Sequence, residues 1–185
     1  MQEVENILRI LEGTKKAMIE KDSIKIKQLS NQTTNTASQT HDPDNIAIAV
    51  IVYSIGKIIE REHYRNLPGW KKFYNNTEVY LNKAISSLKK KDEEGVRQSL
   101  ESIRKEINNL SGKLKFYIQD VFRKAQINKA SKIYEHGISM EKTARLLGIT
   151  MYELASYAGQ ADLPKIPGKT VNIKKRIKIA KEIFS

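Results

Sequence analysis

Between Trp70 and Leu110 the apolar residues fall at spacings of three and four, in two stretches divided by a short charged junction. Trp70, Phe73, Tyr74, Thr77, Leu81, Ala84, Ile85 and Leu88 form the first stripe, and Val96, Leu100, Ile103, Ile107 and Leu110 form the second. That period sets each stripe on one face of an α-helix; a strand would alternate its faces every residue. The junction reads Lys89-Lys90-Lys91-Asp92-Glu93-Glu94. Cations ending one helix and anions opening the next both complement the helix dipole. Helices joined so tightly pack as an antiparallel hairpin, which makes these aromatic and aliphatic residues core. The stripe on the 93–110 helix is also a candidate dimer face.

The helical period recurs along the chain, and only four prolines and nine glycines interrupt it. A first helix is expected from Gln2 to Ile19, with Val4, Ile7, Leu8, Leu11 and Ile19 near one face. A short second helix is expected over Asp22 to Leu29. The uncharged polar run Ser30 to Thr40 follows, either as a loop or as helix with its hydroxyls turned to solvent. Asp42-Pro43 then supplies an N-cap carboxylate and a proline at the first helical position. The β-branched segment after it would suit a strand, but its capping, length and amphipathic finish favour a buried central helix. Pro68-Gly69 marks a turn. The second stripe continues through Leu114, Ile118, Val121 and Ala125, with Ser111-Gly112 as a kink or break. The expected fold is all-α. A helical bundle with a long hairpin fills 1–120, a compact helical motif 121–160, and a linker with a basic amphipathic helix 161–185.

Net charge is +12 and is unevenly placed: −1 over residues 1–63, +4 over 64–112 and +9 over 113–185. A basic C-terminal portion points to a polyanionic partner. There is no cysteine, which excludes disulfides and thiolate metal sites and suits a reducing cytoplasm. The first twenty residues mix charges with apolar residues and contain no signal-type apolar run. The longest apolar stretch, Ile46 to Ile59, falls short of the about 20 residues a membrane span needs, so no membrane partner is expected.

Residues 126–160 carry the most specific pattern. Ala130, Ile133 and Tyr134 share a face, and Gly137 stands where a C′ glycine ends a helix. Ser139 is placed to cap a short helix over Met140 to Leu147, which Gly148 ends. Thr150-Met151-Tyr152-Glu153 forms a capping box that starts a third helix. Ala144 supplies the small residue where the two helices cross, and Gly148 a turn that tolerates positive φ. Leu147, Ile149, Leu154 and Tyr157 are expected to close the local core. This stretch resembles the helix-turn-helix superfamily position by position over about 20 residues.

The resemblance implies that the third helix leads with its N-terminal half into a DNA major groove. Met151, Tyr152, Ala155 and Ser156 would face outward, Tyr152 and Ser156 meeting base edges or phosphate. Lys142 and Arg145 on the preceding helix would bind the flanking backbone. The third helix itself has no Lys or Arg and one charge, Glu153. In the tail, Ile173, Ile177, Ala180 and Phe184 make an apolar stripe flanked by Lys174, Lys175, Arg176, Lys178 and Lys181. These cations are expected to add phosphate contacts.

The segment from Lys129 to Gln160 also looks like the helix-turn-helix region of small prokaryotic antitoxins and of uncharacterised archaeal helical proteins. For antitoxins the family implies DNA binding here and toxin binding through an extension, which would be Lys165 to Ser185. Those proteins are much shorter, and residues 1–120 have no counterpart in them. Helical RNases of the HEPN type need an arginine four to six residues before a histidine. None of His41, His63 and His136 has one, so that activity is not carried over.

No metal-ligand spacing, Walker loop or dinucleotide fingerprint is present, and no cofactor is expected. Asp42 with Asp44 is explained by capping and Glu60 with Glu62 by a solvated helix end. His41 beside Asp42 and Asp44 is the most suggestive polar cluster, and it falls short of a catalytic site. The expected function is that of a cytoplasmic, non-enzymatic DNA-binding regulator. The alternatives are an RNA- or ribosome-associated protein and a protein-interaction module, as a monomer or a homodimer.

Overall fold

A computed structural model describes residues 1–40, 42–147 and 149–160. All their regular structure is helical: α1 Val4–Ile19, α2 Ser23–Thr40, α3 Pro43–Glu60, a 3-10 turn Glu62–Asn66, α4 Trp70–Lys89, α5 Glu93–Asn109, α6 Gly112–Glu135, α7 Met140–Leu147 and α8 Met151–Gln160. The hairpin of α4 and α5 forms as the two stripes require, with the Asp92 carboxylate accepting the Gly95 N–H at 2.9 Å to cap α5. Val96, Leu100, Ile103, Ile107 and Leu110 are all buried. The α5 stripe is therefore spent inside the chain and offers no exposed dimer face. Leu110 and Ser111 are extended and Gly112 has φ +59°, so the chain breaks here, and α6 starts anew.

The run Ser30 to Thr40 is neither a loop nor a solvated helix face. It completes a continuous α2 in which Ser30, Thr33, Thr34, Ala37 and Ser38 are buried. Their hydroxyls are satisfied without water. Thr33, Thr34 and Ser38 donate to the carbonyl four residues back, and Ser30 donates across the interface to the Ala49 carbonyl of α3 at 2.9 Å. A hydroxyl that carries its own acceptor costs little to bury. The small side chains let α2 lie close along α3, the helix that Asp42 caps through the Asp44 N–H at 2.9 Å. α3 is buried nearly all round, as its composition demanded.

Two hydrophobic clusters fill the interior. The larger joins α1, α2, α3, α4, α5 and the first half of α6. Ile7, Ile10, Leu11, Ala17 and Met18 bring α1 into it, whereas Ile19 is 54% exposed and leaves the expected stripe. The smaller joins Ala37, Ile46 and Val50 of α2 and α3 to Ala125, Ala130 and Ile133 of α6 and to Ile138, Ala144, Leu147, Ile149 and Leu154. α6 thus belongs to both cores; α7 packs against α6 and α3, and α8 against α6 and α7.

Candidate nucleic-acid interface

α6, α7 and α8 meet through small and aliphatic residues, and each junction is closed by the residue type its backbone requires. α6 stops at His136, whose N–H returns to the Lys132 and Ile133 carbonyls. Gly137 follows at φ +93°, a left-handed conformation that costs a side-chain-bearing residue energy and glycine almost none. The Ser139 hydroxyl accepts the Lys142 N–H at 3.3 Å and its carbonyl accepts the Thr143 N–H at 2.9 Å, capping α7. Beyond α7, the Ile149 N–H bonds to the Ala144 carbonyl at 3.0 Å. Gly148 and His41 lie outside the described residues.

α8 begins with a reciprocal capping box. The Glu153 N–H donates to Thr150 Oγ1 at 3.1 Å, and the Thr150 N–H and hydroxyl donate to Glu153 Oε2 at 2.9 and 2.8 Å. The other Glu153 oxygen pairs with the Arg123 guanidinium of α6. The Thr150 N–H, then its hydroxyl and then Arg123 hold the Glu153 carboxyl below its ordinary pKa. Leu154, one position on, is fully buried. The orientation of α8 is thus set by an apolar anchor and an ion pair on neighbouring residues.

With that anchoring, the first turn of α8 projects from the molecule. Tyr152 is 80% exposed and Met151 54%, and Ala155 and Ser156 are also exposed. Lys142 is half-buried on α7, whereas Arg145 is exposed and turns toward a cleft shared with α3 and α5. Tyr157, expected in the core, is exposed instead; its hydroxyl accepts the Asn128 amide at 3.3 Å. Lys174, Lys175, Arg176 and Lys178 lie outside the described residues.

Two features escaped the sequence reading. Lys129 of α6 has no exposed surface. Its Nζ donates to Asn31 Oδ1 at 3.2 Å and sits 4.5 Å from the centre of the Tyr53 ring, and Lys132 shares the same acceptor. No carboxylate balances Lys129 among the described residues. Burial, and then the like charge of Lys132, push its pKa down to about 7. The signal was present in the sequence: residue 129 continues the stripe from Val121 and Ala125 toward Ile133, so a lysine stands where the period calls for an apolar side chain. The second feature is the cleft that Arg145 faces, which also holds Arg97 and Arg104 of α5. Nothing in the spacing of these arginines announces a shared site, because four separate segments build it.

The suspected acidic clusters are accounted for locally. Asp42 caps α3, Asp44 is gripped by Arg97, Glu60 pairs with Lys27 and Lys57, and Glu62 with Arg65. Among the described residues no three His, Asp or Glu side chains converge as a metal site would, and no helix is long and apolar enough to cross a membrane. Comparison with known protein families, with curated protein sequences and with solved structures finds no match to this chain.

Proposed function

We propose that the end of α6 with α7 and α8 acts as a helix-turn-helix that binds duplex DNA, with α8 leading into the major groove. The observation that carries this reading is the first turn of α8, where Met151 and Tyr152 stand largely free of the protein on a helix fixed by Leu154 and Glu153. An exposed aromatic beside an exposed methionine offers apolar surface that a partner can cover, and a rigid support is what groove recognition requires. Tyr152 and Met151 supply apolar contact to thymine methyl groups, and Ser156 a hydrogen bond to a base edge or phosphate. Lys142 and the tail cations Lys174, Lys175, Arg176 and Lys178 supply phosphate contacts, in keeping with the +9 charge of residues 113–185.

One observation favours a second reading. α8 contains no Lys or Arg, so the arginine–guanine contact common in DNA readers is missing from it. A lysine-rich body without such a contact also suits structured RNA, recognised through shape and backbone. Competition of labelled duplex DNA against unlabelled duplex and total RNA, with the full chain, separates the two. DNA binding predicts that duplex competes at the lower concentration and that Tyr152→Ala narrows the difference between sequences. Preferential displacement by RNA assigns the protein to the second reading.

A further inference from the structure

A cleft of about 530 Å³ opens where α3, α5, α6 and α7 meet, within the roughly 300–1,000 Å³ range of small-molecule sites. Ile46, Val50, Leu100 and Leu147 give it an apolar lining. Three guanidinium groups stand along it. Arg97 is committed, with Nη2 2.8 Å from Asp44 Oδ2 and 3.0 Å from Glu93 Oε2. Arg104 of α5 and Arg145 of α7 have no ion-pair partner among the described residues. Glu101 is the one lining carboxylate that Arg97 does not hold. Two guanidiniums without an ion-pair partner among the described residues therefore line the cleft together with one carboxylate that Arg97 does not hold and with apolar side chains.

We propose that this cleft binds a small amphipathic anion, with a carboxylate or phosphate head between Arg104 and Arg145 and an apolar body against Ile46, Val50, Leu100 and Leu147. Guanidinium forks match the planar or tetrahedral oxygens of such heads and bind them as charge-assisted pairs. Placing a ligand's apolar body in the cleft removes that body's surface from water, a gain a nucleic-acid backbone does not offer. The chain's own basic tail carries the same sign of charge as the two arginines. A folded protein partner needs about 800 Å² of accessible face, whereas this opening is a cleft lined by thirteen residues of four helices. Arg145, Leu146 and Leu147 belong to α7, so an occupant bridges the α5 wall to the helix that precedes α8.

The test uses the full chain, and its titrations contain no nucleic acid, so their outcome is independent of the proposed DNA binding. Isothermal titration with decanoate, decyl phosphate and decanol reads the head group. At least one anion is expected to saturate a single site, with decanol about tenfold weaker or worse. The preferred anion says whether the site takes carboxylate or phosphate. Arg104→Ala and Arg145→Ala are each expected to weaken that anion by about tenfold, the worth of one charge-assisted bond. Glu101→Gln is expected to tighten it a few-fold, and Ala47→Phe to abolish binding by filling the cleft while circular dichroism stays unchanged. Equal binding of decanol, indifference to both arginine substitutions, or no saturable binding of either anion would overturn the proposal. Displacement of the bound anion by duplex DNA that depends on Arg104 would also overturn it, by assigning these arginines to the nucleic acid.

Discussion

Arg123 of α6 pairs with Glu153 of α8, and the same carboxylate accepts the Thr150 N–H at 2.9 Å. One side chain therefore does two jobs: it caps α8 and straps it to the helix that runs back into the main core. Tyr152, immediately before it, is 80% exposed. A largely exposed aromatic is thus covalently next to the residue that fixes the helix.

Removing that carboxylate separates the two jobs. Glu153→Gln keeps a group able to close the capping box and loses the charge; Glu153→Ala loses both. Both substitutions are expected to lower Tm, alanine more than glutamine. Because the Glu153 pKa is depressed on folding, its stabilisation is present above the ordinary glutamate value of 4.5 and is lost as pH falls through the lower folded value. Thermal melts of wild type and Glu153→Ala at pH 7 and pH 3 check this. The Tm gap should shrink at the acid pH, and a gap independent of pH would refute the assignment.

Lys129 predicts the opposite sign. Its folded pKa is lowered to about 7 from an ordinary 10.5, so the unfolded chain binds more protons between those values. Burying the amine therefore costs most below pH 7 and progressively less as pH rises toward 10.5. Lys129→Met keeps the apolar stem and removes the ammonium, and Lys132 remains to donate to Asn31. The variant is expected to be more stable than wild type at pH 6.5, by about 1–4 kcal/mol, the gain seen when a buried ion pair is replaced by apolar residues, here with no carboxylate to offset the cost of the charge. Denaturant unfolding at pH 6.5 and pH 9 measures it. The advantage should diminish at the higher pH; a destabilised variant at pH 6.5 would contradict the account.

Tyr152→Ala tests the exposed face without touching the core. An 80% exposed side chain with few protein contacts should change stability by about 0.5 kcal/mol or less. Affinity for a selected duplex should fall by roughly three- to tenfold, while affinity for unrelated duplex changes little. Parallel melting and gel-shift titrations read the two quantities. Equal losses on both duplexes would make Tyr152 a non-specific contact.

The parts of the fold that were legible from sequence are those whose stripes are large and apolar. The α4–α5 hairpin, the capped α3 and the turns at Gly137 and Thr150 follow from spacing and cap chemistry alone. α2 was obscured because its inward positions 30, 33, 34, 37 and 38 hold serine, threonine and alanine, so the helical period is written in side-chain size rather than hydropathy. Lys129 was passed over because a lysine within a basic segment reads as solvated surface until tertiary packing closes over it. The outward residues of α8 followed from the capping box, which fixes the helix phase. The cleft was illegible, since residues 43–50, 97–104, 126 and 145–147 meet only once α7 docks against α3 and α6.

The proposal that α8 and the basic tail engage the phosphates and grooves of duplex DNA is tested most directly by the affinity of the full chain for duplex DNA across a salt series. Each phosphate neutralised should steepen the fall of log K against log salt by about 0.9. Wild type is predicted to bind at low salt with a linear decline, and Lys174→Ala with Lys175→Ala to lower the slope by about 2, one increment for each lost cation. No binding at low salt, or an affinity indifferent to salt, would contradict the account.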